Sequence, residues 1–134
     1  MKSFIYLLFF VFVASSCQTG LGDTLTIALG ESRQIGSEGL KVAFSDIMDS
    51  RCPTGVECIA AGEARVSLEV TKAGASQSLE LTVKGLCEDQ TGPCGSQMEA
   101  MGYQFKLLYV SPYPAKDLTI GKGDYKLTLV VEKG

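Results

Sequence analysis

The sequence predicts an all-β fold, an antiparallel β-sandwich of about seven strands with Ig-like packing. Three observations predict it. Apolar and polar residues alternate with a period of two along most of the chain. Turn-forming residues recur roughly every eight to twelve positions. No window carries the apolar stripe of a helix. Strands that alternate in this way bury one face each, so two facing sheets satisfy them; a small β-barrel is the alternative.

Each element follows from its own pattern. In Leu25 to Leu29, the apolar Leu25, Ile27 and Leu29 alternate with Thr26 and Ala28. Gly30-Glu31 turns the chain, and Ser32 to Ile35 forms a short second strand. Leu40 to Met48 reads as the third, with Leu40, Val42 and Phe44 on one face. Gly62 to Thr71 is the clearest case: Ala64, Val66, Leu68 and Val70 point one way, and Glu63, Arg65, Ser67, Glu69 and Thr71 the other. Ala73-Gly74 supplies a turn, and Ser78 to Val83 returns with Leu79, Leu81 and Val83 inward, which makes a hairpin. Met98 to Gly102 holds at most one helical turn. Tyr103 to Val110 places Tyr103, Phe105, Leu107 and Tyr109 on one face and becomes apolar on both at its end, as in a central strand. Ser111-Pro112-Tyr113-Pro114 breaks it into extended, polyproline-like chain. Gly121 and Gly123-Asp124 turn into a last strand, Tyr125 to Val131.

The first residues read as an export signal. Lys2 gives a positive start, Phe4 to Val13 is unbroken apolar sequence, and Ala14, Ser15 and Ser16 are small. The run is too short for a membrane-spanning helix, which needs about 20 residues. Ala14-Ser15-Ser16-Cys17 resembles the lipobox of bacterial lipoproteins, in which the cysteine is acylated and becomes the new N-terminus. That resemblance implies a signal peptide over residues 1–16, a lipidated Cys17 with a tether through residue 23, and one β domain over 24–134. Ordinary secretion is the alternative, because Ala14 and Ser16 also suit signal peptidase. Parity favours lipidation: of five cysteines it uses the odd one. Acyl chains would attach the protein to the membrane. By resemblance to lipoprotein sorting, the uncharged Gln18 points to the outer membrane or a periplasm-facing envelope surface.

Loss of the leader removes 16 of 134 residues and leaves 118, one domain with a modest core. Only Lys2 among the charges is lost, so 11 cations stand against 15 acids, a net charge of −4. A mildly acidic chain without a basic run argues against nucleic acid as a partner.

The other four cysteines fall in two close pairs, Cys52 with Cys58 and Cys87 with Cys94. Four cysteines allow three connectivities. The two local ones are preferred because each pair brackets turn residues, Pro53 and Gly55 in the first loop and Gly92-Pro93 in the second.

Residues 49–64 read D-S-R-C-P-T-G-V-E-C-I-A-A-G-E-A. This resembles a group of small bacterial secreted and lipid-anchored proteins of unassigned function with an S-R-C-P…C-x-W-A-G signature. Ala60 stands where that group has Trp. The resemblance implies an exported β fold and carries no chemistry with it.

The residue inventory limits the chemistry. The chain has no His, which removes the usual base of a Ser or Cys nucleophile and the commonest transition-metal ligand. The cysteine spacings exceed those of structural zinc pairs, and Met48, Met98 and Met101 are a thin basis for a copper site. Asp46, Asp49, Glu57 and Glu63 gather around the first cysteine pair, with Arg51 and Arg65 as charge partners in a solvated loop. No catalytic residue, metal ligand or cofactor is therefore expected. The expected function is that of a lipid-anchored, non-enzymatic envelope protein, an accessory, adhesive or binding module for a protein or small-molecule ligand. Its candidate binding loop is Arg51, Pro53, Thr54, Val56 and Glu57. The alternative is an inhibitor of an extracytoplasmic protease that presents Arg51 or Val56 on the Cys52–Cys58 loop, where preorganisation lowers the entropic cost of binding.

Overall fold

The computed structural model describes residues 22–36, 39–86 and 94–134. The leader, Cys17 and Cys87 lie outside the described residues. Among the described residues there are eight strands: β1 (Thr24–Ala28), β2 (Ser32–Ile35), β3 (Leu40–Asp49), β4 (Glu63–Lys72), β5 (Ala75–Lys84), β6 (Gln97–Ala100), β7 (Tyr103–Ser111) and β8 (Lys126–Lys133). They form two four-stranded antiparallel sheets, ordered β2-β3-β4-β5 and β1-β8-β7-β6, packed face to face as a sandwich.

The core is what the alternation requires. Val42 and Phe44 of β3, Val66 and Leu68 of β4 and Leu81 of β5 meet Ile27, Phe105, Leu107, Leu127 and Leu129 of the opposite sheet, and all are buried. Each such side chain contributes about 1.5–3 kcal/mol by leaving water. The β4–β5 hairpin closes on Ala73-Gly74, with φ of 52° and 79°. Positive φ at both central residues is the two-residue turn whose twist suits a hairpin.

Three details differ from the alternation read without interruption. The expected helical turn near Met98 is instead β6, the eighth strand. It pairs with β7 across Met101-Gly102, again with positive φ at both residues. Four residues are too few for a period to show. In β7 the register shifts between Leu107 and Tyr109, so Val110 rather than Tyr109 enters the core, and Tyr109 is half-buried. In β3 a shift between Phe44 and Asp46 brings Ile47 inward and turns Asp46 outward to Lys122. An extra residue in one strand reverses the inside-outside phase of all that follows. The inner positions of β7 and β8 in their sheet agree with strands apolar on both faces.

The two ends of the sandwich carry different things. At one end the chain enters through Gly22, whose N–H donates to Val131 O at 2.8 Å, and the Gly134 N–H donates to Gly102 O at 2.9 Å. There the Lys72 ammonium donates to the Tyr103 hydroxyl at 3.0 Å. Strand β3 runs ten residues away from that end, about 33 Å, and leaves the sheet at Asp49. The far end also holds the exit of β7 at Ser111 and, just before β8, a 3₁₀ turn at Lys122–Asp124.

Candidate functional site

The β3–β4 connection at the far end is a projection with a buried base and an exposed tip. The ladder continues past the named strands: Ser50 N–H donates to Glu63 O at 2.8 Å and Cys52 N–H to Ala61 O at 2.7 Å. This close approach depends on glycine. A Cβ on Gly62, whose φ is +69°, would lie 1.9 Å from Ser50 O, and one on Gly85 would lie 2.1 Å from Ala61 O.

Arg51 organises the base. Its side chain lies inside the molecule, and the residue is only 5 % exposed. Asp49 accepts from Arg51 Nε at 2.8 Å on one carboxylate oxygen and from Nη2 at 2.9 Å on the other. This is the two-point geometry that suits guanidinium to carboxylate. Arg51 Nη1 donates to Val110 O at 2.8 Å, and Nη2 to Pro112 O at 3.1 Å. The guanidinium therefore closes off the end of β7 in the opposite sheet. It also stands 4.8 Å from the centre of the Tyr113 ring, within cation–π range. The Tyr113 hydroxyl donates to Cys52 O and accepts from Leu86 N–H, both at 2.9 Å. The Tyr125 hydroxyl donates to the Asp49 carboxylate at 3.0 Å. Among the described residues no buried side-chain polar atom lacks a partner, which is what a charge pair this deep requires.

The electrostatics follow. Burial alone would raise the Asp49 carboxyl, but hydrogen bonds and charge from Arg51, with the Tyr125 hydroxyl, outweigh it and hold the carboxyl below its ordinary value. Burial and the neighbouring Asp49 carboxylate raise the Tyr125 hydroxyl above its own. On the surface nearby, Lys122 holds Asp46 low through a 2.8 Å contact, and Arg65 Nε donates to Glu63 at 2.7 Å. Three of the four carboxylates gathered here in sequence are thus each engaged by a cation. Of the four, only Glu57 lies in an exposed loop; Asp46 and Glu63 stand in β3 and β4 with solvent-accessible side chains, and the Asp49 side chain is buried.

The tip begins where the base ends. The Cys52–Cys58 disulfide is formed, with Cα atoms 6.0 Å apart, so neither sulfur is free as a thiolate ligand. Cys94 is also disulfide-bonded; the expected pairing with Cys87 falls partly outside the described residues. A short parallel bridge fixes the loop to the segment after β7: Thr54 N–H donates to Pro114 O and Lys116 N–H to Thr54 O, each at 3.0 Å. Ser111–Pro112 in that segment is a cis peptide. Beyond these ties Thr54, Val56, Glu57 and Ile59 are exposed, Val56 at 43 % and Ile59 completely, at 110 % of its reference area.

The predicted binding residues therefore separate. Thr54, Val56 and Glu57 lie at the tip, and Pro53 is half-buried at its root. Arg51 does not belong with them: the reading that presents it to a partner is corrected, because its guanidinium is engaged by Asp49 and by two carbonyls of the opposite sheet and the segment that follows. Ile59 is the residue missed. In the sequence it reads as an ordinary apolar residue beside a cysteine, and nothing local says that it faces water. Ala60, next to it, is exposed as well. Met48 and Met98 lie in different sheets. In comparisons of the whole chain, no family model, no curated protein and no solved structure matches it.

Proposed function

We propose that this protein is a lipid-anchored, non-enzymatic binding module of the cell envelope that engages a protein partner through the exposed apolar side chains of the β3–β4 projection, Val56 inside the Cys52–Cys58 loop and Ile59 just after it. One observation carries the reading: Ile59 stands fully in solvent immediately after a disulfide-closed loop, three residues past the exposed Val56. Exposing a large apolar side chain to water is unfavourable, and holding it on a rigid support reduces the ordering cost when a partner covers it. The position supports the same reading. Lipid on Cys17 would attach the chain five residues before Gly22, and the tip lies at the opposite end of the sheets from Gly22. The protease-inhibitor reading now rests on Val56 alone, since Arg51 is internal.

The test is capture of envelope proteins on the immobilised chain, followed by quantitative binding of the captured protein to variants. Ile59→Ser is expected to weaken binding at least tenfold, in the range of an apolar anchor, with an unchanged unfolding midpoint. Intact mass of the native protein is expected to show acyl chains on Cys17. Binding indifferent to both Ile59→Ser and Val56→Ser would sink the tip as the site, and an unmodified Cys17 would sink the anchor. Cleavage of the tip by a protease that it inhibits would move the assignment to the inhibitor reading.

A further inference from the structure

The second exposed feature is an edge rather than a loop. Strand β5 lies at the border of its sheet, with β4 on one side. Its C-terminal part is covered on the other side: Lys84 N–H donates to Cys94 O at 2.9 Å, and Thr82 O accepts from Ser96 N–H at 2.8 Å. These contacts set the phase of the strand. Thr82 and Lys84 turn their backbone groups away from β4, and by the alternation of an antiparallel ladder so do Ser76, Ser78 and Glu80. Among the described residues the N–H and C=O groups of those three meet no backbone partner outside the strand, and all three residues are exposed. Of the devices that prevent an edge from pairing, the free stretch has no Lys, no Pro and no bulge, and Glu80 is its one charged residue.

We propose that this edge pairs with the β5 edge of a second copy of the chain, antiparallel and centred on Ser78. The register is self-complementary. Ser78 faces its counterpart, Ser76 faces Glu80 of the partner, and Gln77 faces its Leu79, so no like charges oppose each other. Ser78 exchanges both of its backbone bonds with the other Ser78, and each Ser76–Glu80 pair does the same. All free groups of the three residues are then satisfied on both copies. The length matches too. In this register Thr82 meets Gly74 of the second copy, so the covered part of one strand begins where the other turns off at Ala73-Gly74. One further feature lies on the same flank. Met98 of β6 is paired with Phe105, a core residue, and so faces the space between the sheets, yet it keeps 43 % exposure. A second copy at this flank would cover it. A two-fold pairing of identical edges closes on itself and stops at the dimer.

The experiment is sedimentation velocity of the full chain from micromolar to millimolar concentration, with amide hydrogen exchange measured at the two extremes. The expected result is a monomer–dimer equilibrium in which exchange at Ser76, Ser78 and Glu80 slows at least tenfold at the high concentration. Ser78→Lys sets two like charges opposite each other at the centre of the pair, and is expected to abolish the dimer while leaving the unfolding midpoint in place. Ser78→Pro removes an outward N–H that β4 does not use, and is expected to do the same. If the proline perturbs the strand, the lysine variant decides. A chain that stays monomeric throughout overturns the proposal. So does a Ser78→Lys variant that associates as strongly as the wild type and leaves the β5 amides unprotected.

Discussion

The two halves of the β3–β4 connection invert each other's chemistry. At its base a charged side chain, Arg51, is buried; at its tip an apolar one, Ile59, is fully exposed. Each is unfavourable taken alone. The base shows how the penalty of burial is offset: a two-point ion pair, two carbonyls, an aromatic face and the Tyr125 hydroxyl satisfy the charges. The tip has no such compensation within the described residues. The ion pair and the side-chain hydrogen bonds gather at the base, and the exposed apolar side chains at the tip.

The sharpest way to break this contrast is Arg51→Ala. It leaves the Asp49 carboxylate buried without its cation, and the expected loss is about 3–5 kcal/mol, read as a fall in the denaturant midpoint with little change in slope. Arg65→Ala, which removes an exposed partner of Glu63, is expected to leave the midpoint where it is. If the two variants behave alike, the base is not the stabilising half.

Second in size is the disulfide. Replacing Cys52 and Cys58 together by Ser frees a loop with five residues between its ends. Loop entropy sets the expected loss at about 2 kcal/mol. Because the Arg51 network and the Thr54–Ala115 bridge persist, the fold is expected to survive. Amide exchange is then expected to quicken in residues 55–60 and to stay slow at Ser50, at position 52 and at Thr54, whose N–H donates to Pro114 O. Equal loss of protection at both places would mean that base and tip form one cooperative unit.

The smallest effect is in pH. Asp49 has a lowered folded value, so its contribution is present above its unfolded value of 3.8 and is lost as pH falls through the folded one. Tyr125 is raised, so its contribution is complete below its unfolded value of 10.0 and is lost as pH rises through the folded one. Stability is therefore expected to decline at both extremes, and Tyr125→Phe is expected to make the alkaline limb shallower. An alkaline limb identical in the wild type and Tyr125→Phe would detach Tyr125 from the network.

Much of the architecture was legible in the sequence, because strand periodicity is local. Val66, Leu68 and Val70 alternate with Ser67 and Glu69 wherever they end up in space, and such a face must be buried against another. The same reasoning found the β4–β5 hairpin and the Cys52–Cys58 loop, whose partners are neighbours in the chain. It failed where one extra residue reversed a phase, as at Leu108 in β7, and where a strand was too short to show a period, as in β6.

What tertiary structure alone decided is which side of the surface Arg51 and Ile59 occupy. Sequence rules place charge outside and apolar residues inside because those are the averages of solvation. Arg51 reverses its average because Val110 O, Pro112 O and the Tyr113 ring arrive from about sixty positions later to receive its guanidinium. Ile59 reverses its own on the projection that follows β3, just past the Cys52–Cys58 disulfide and outside the buried core cluster. Both outcomes depend on contacts between distant parts of the chain, and local sequence carries no record of where those parts meet.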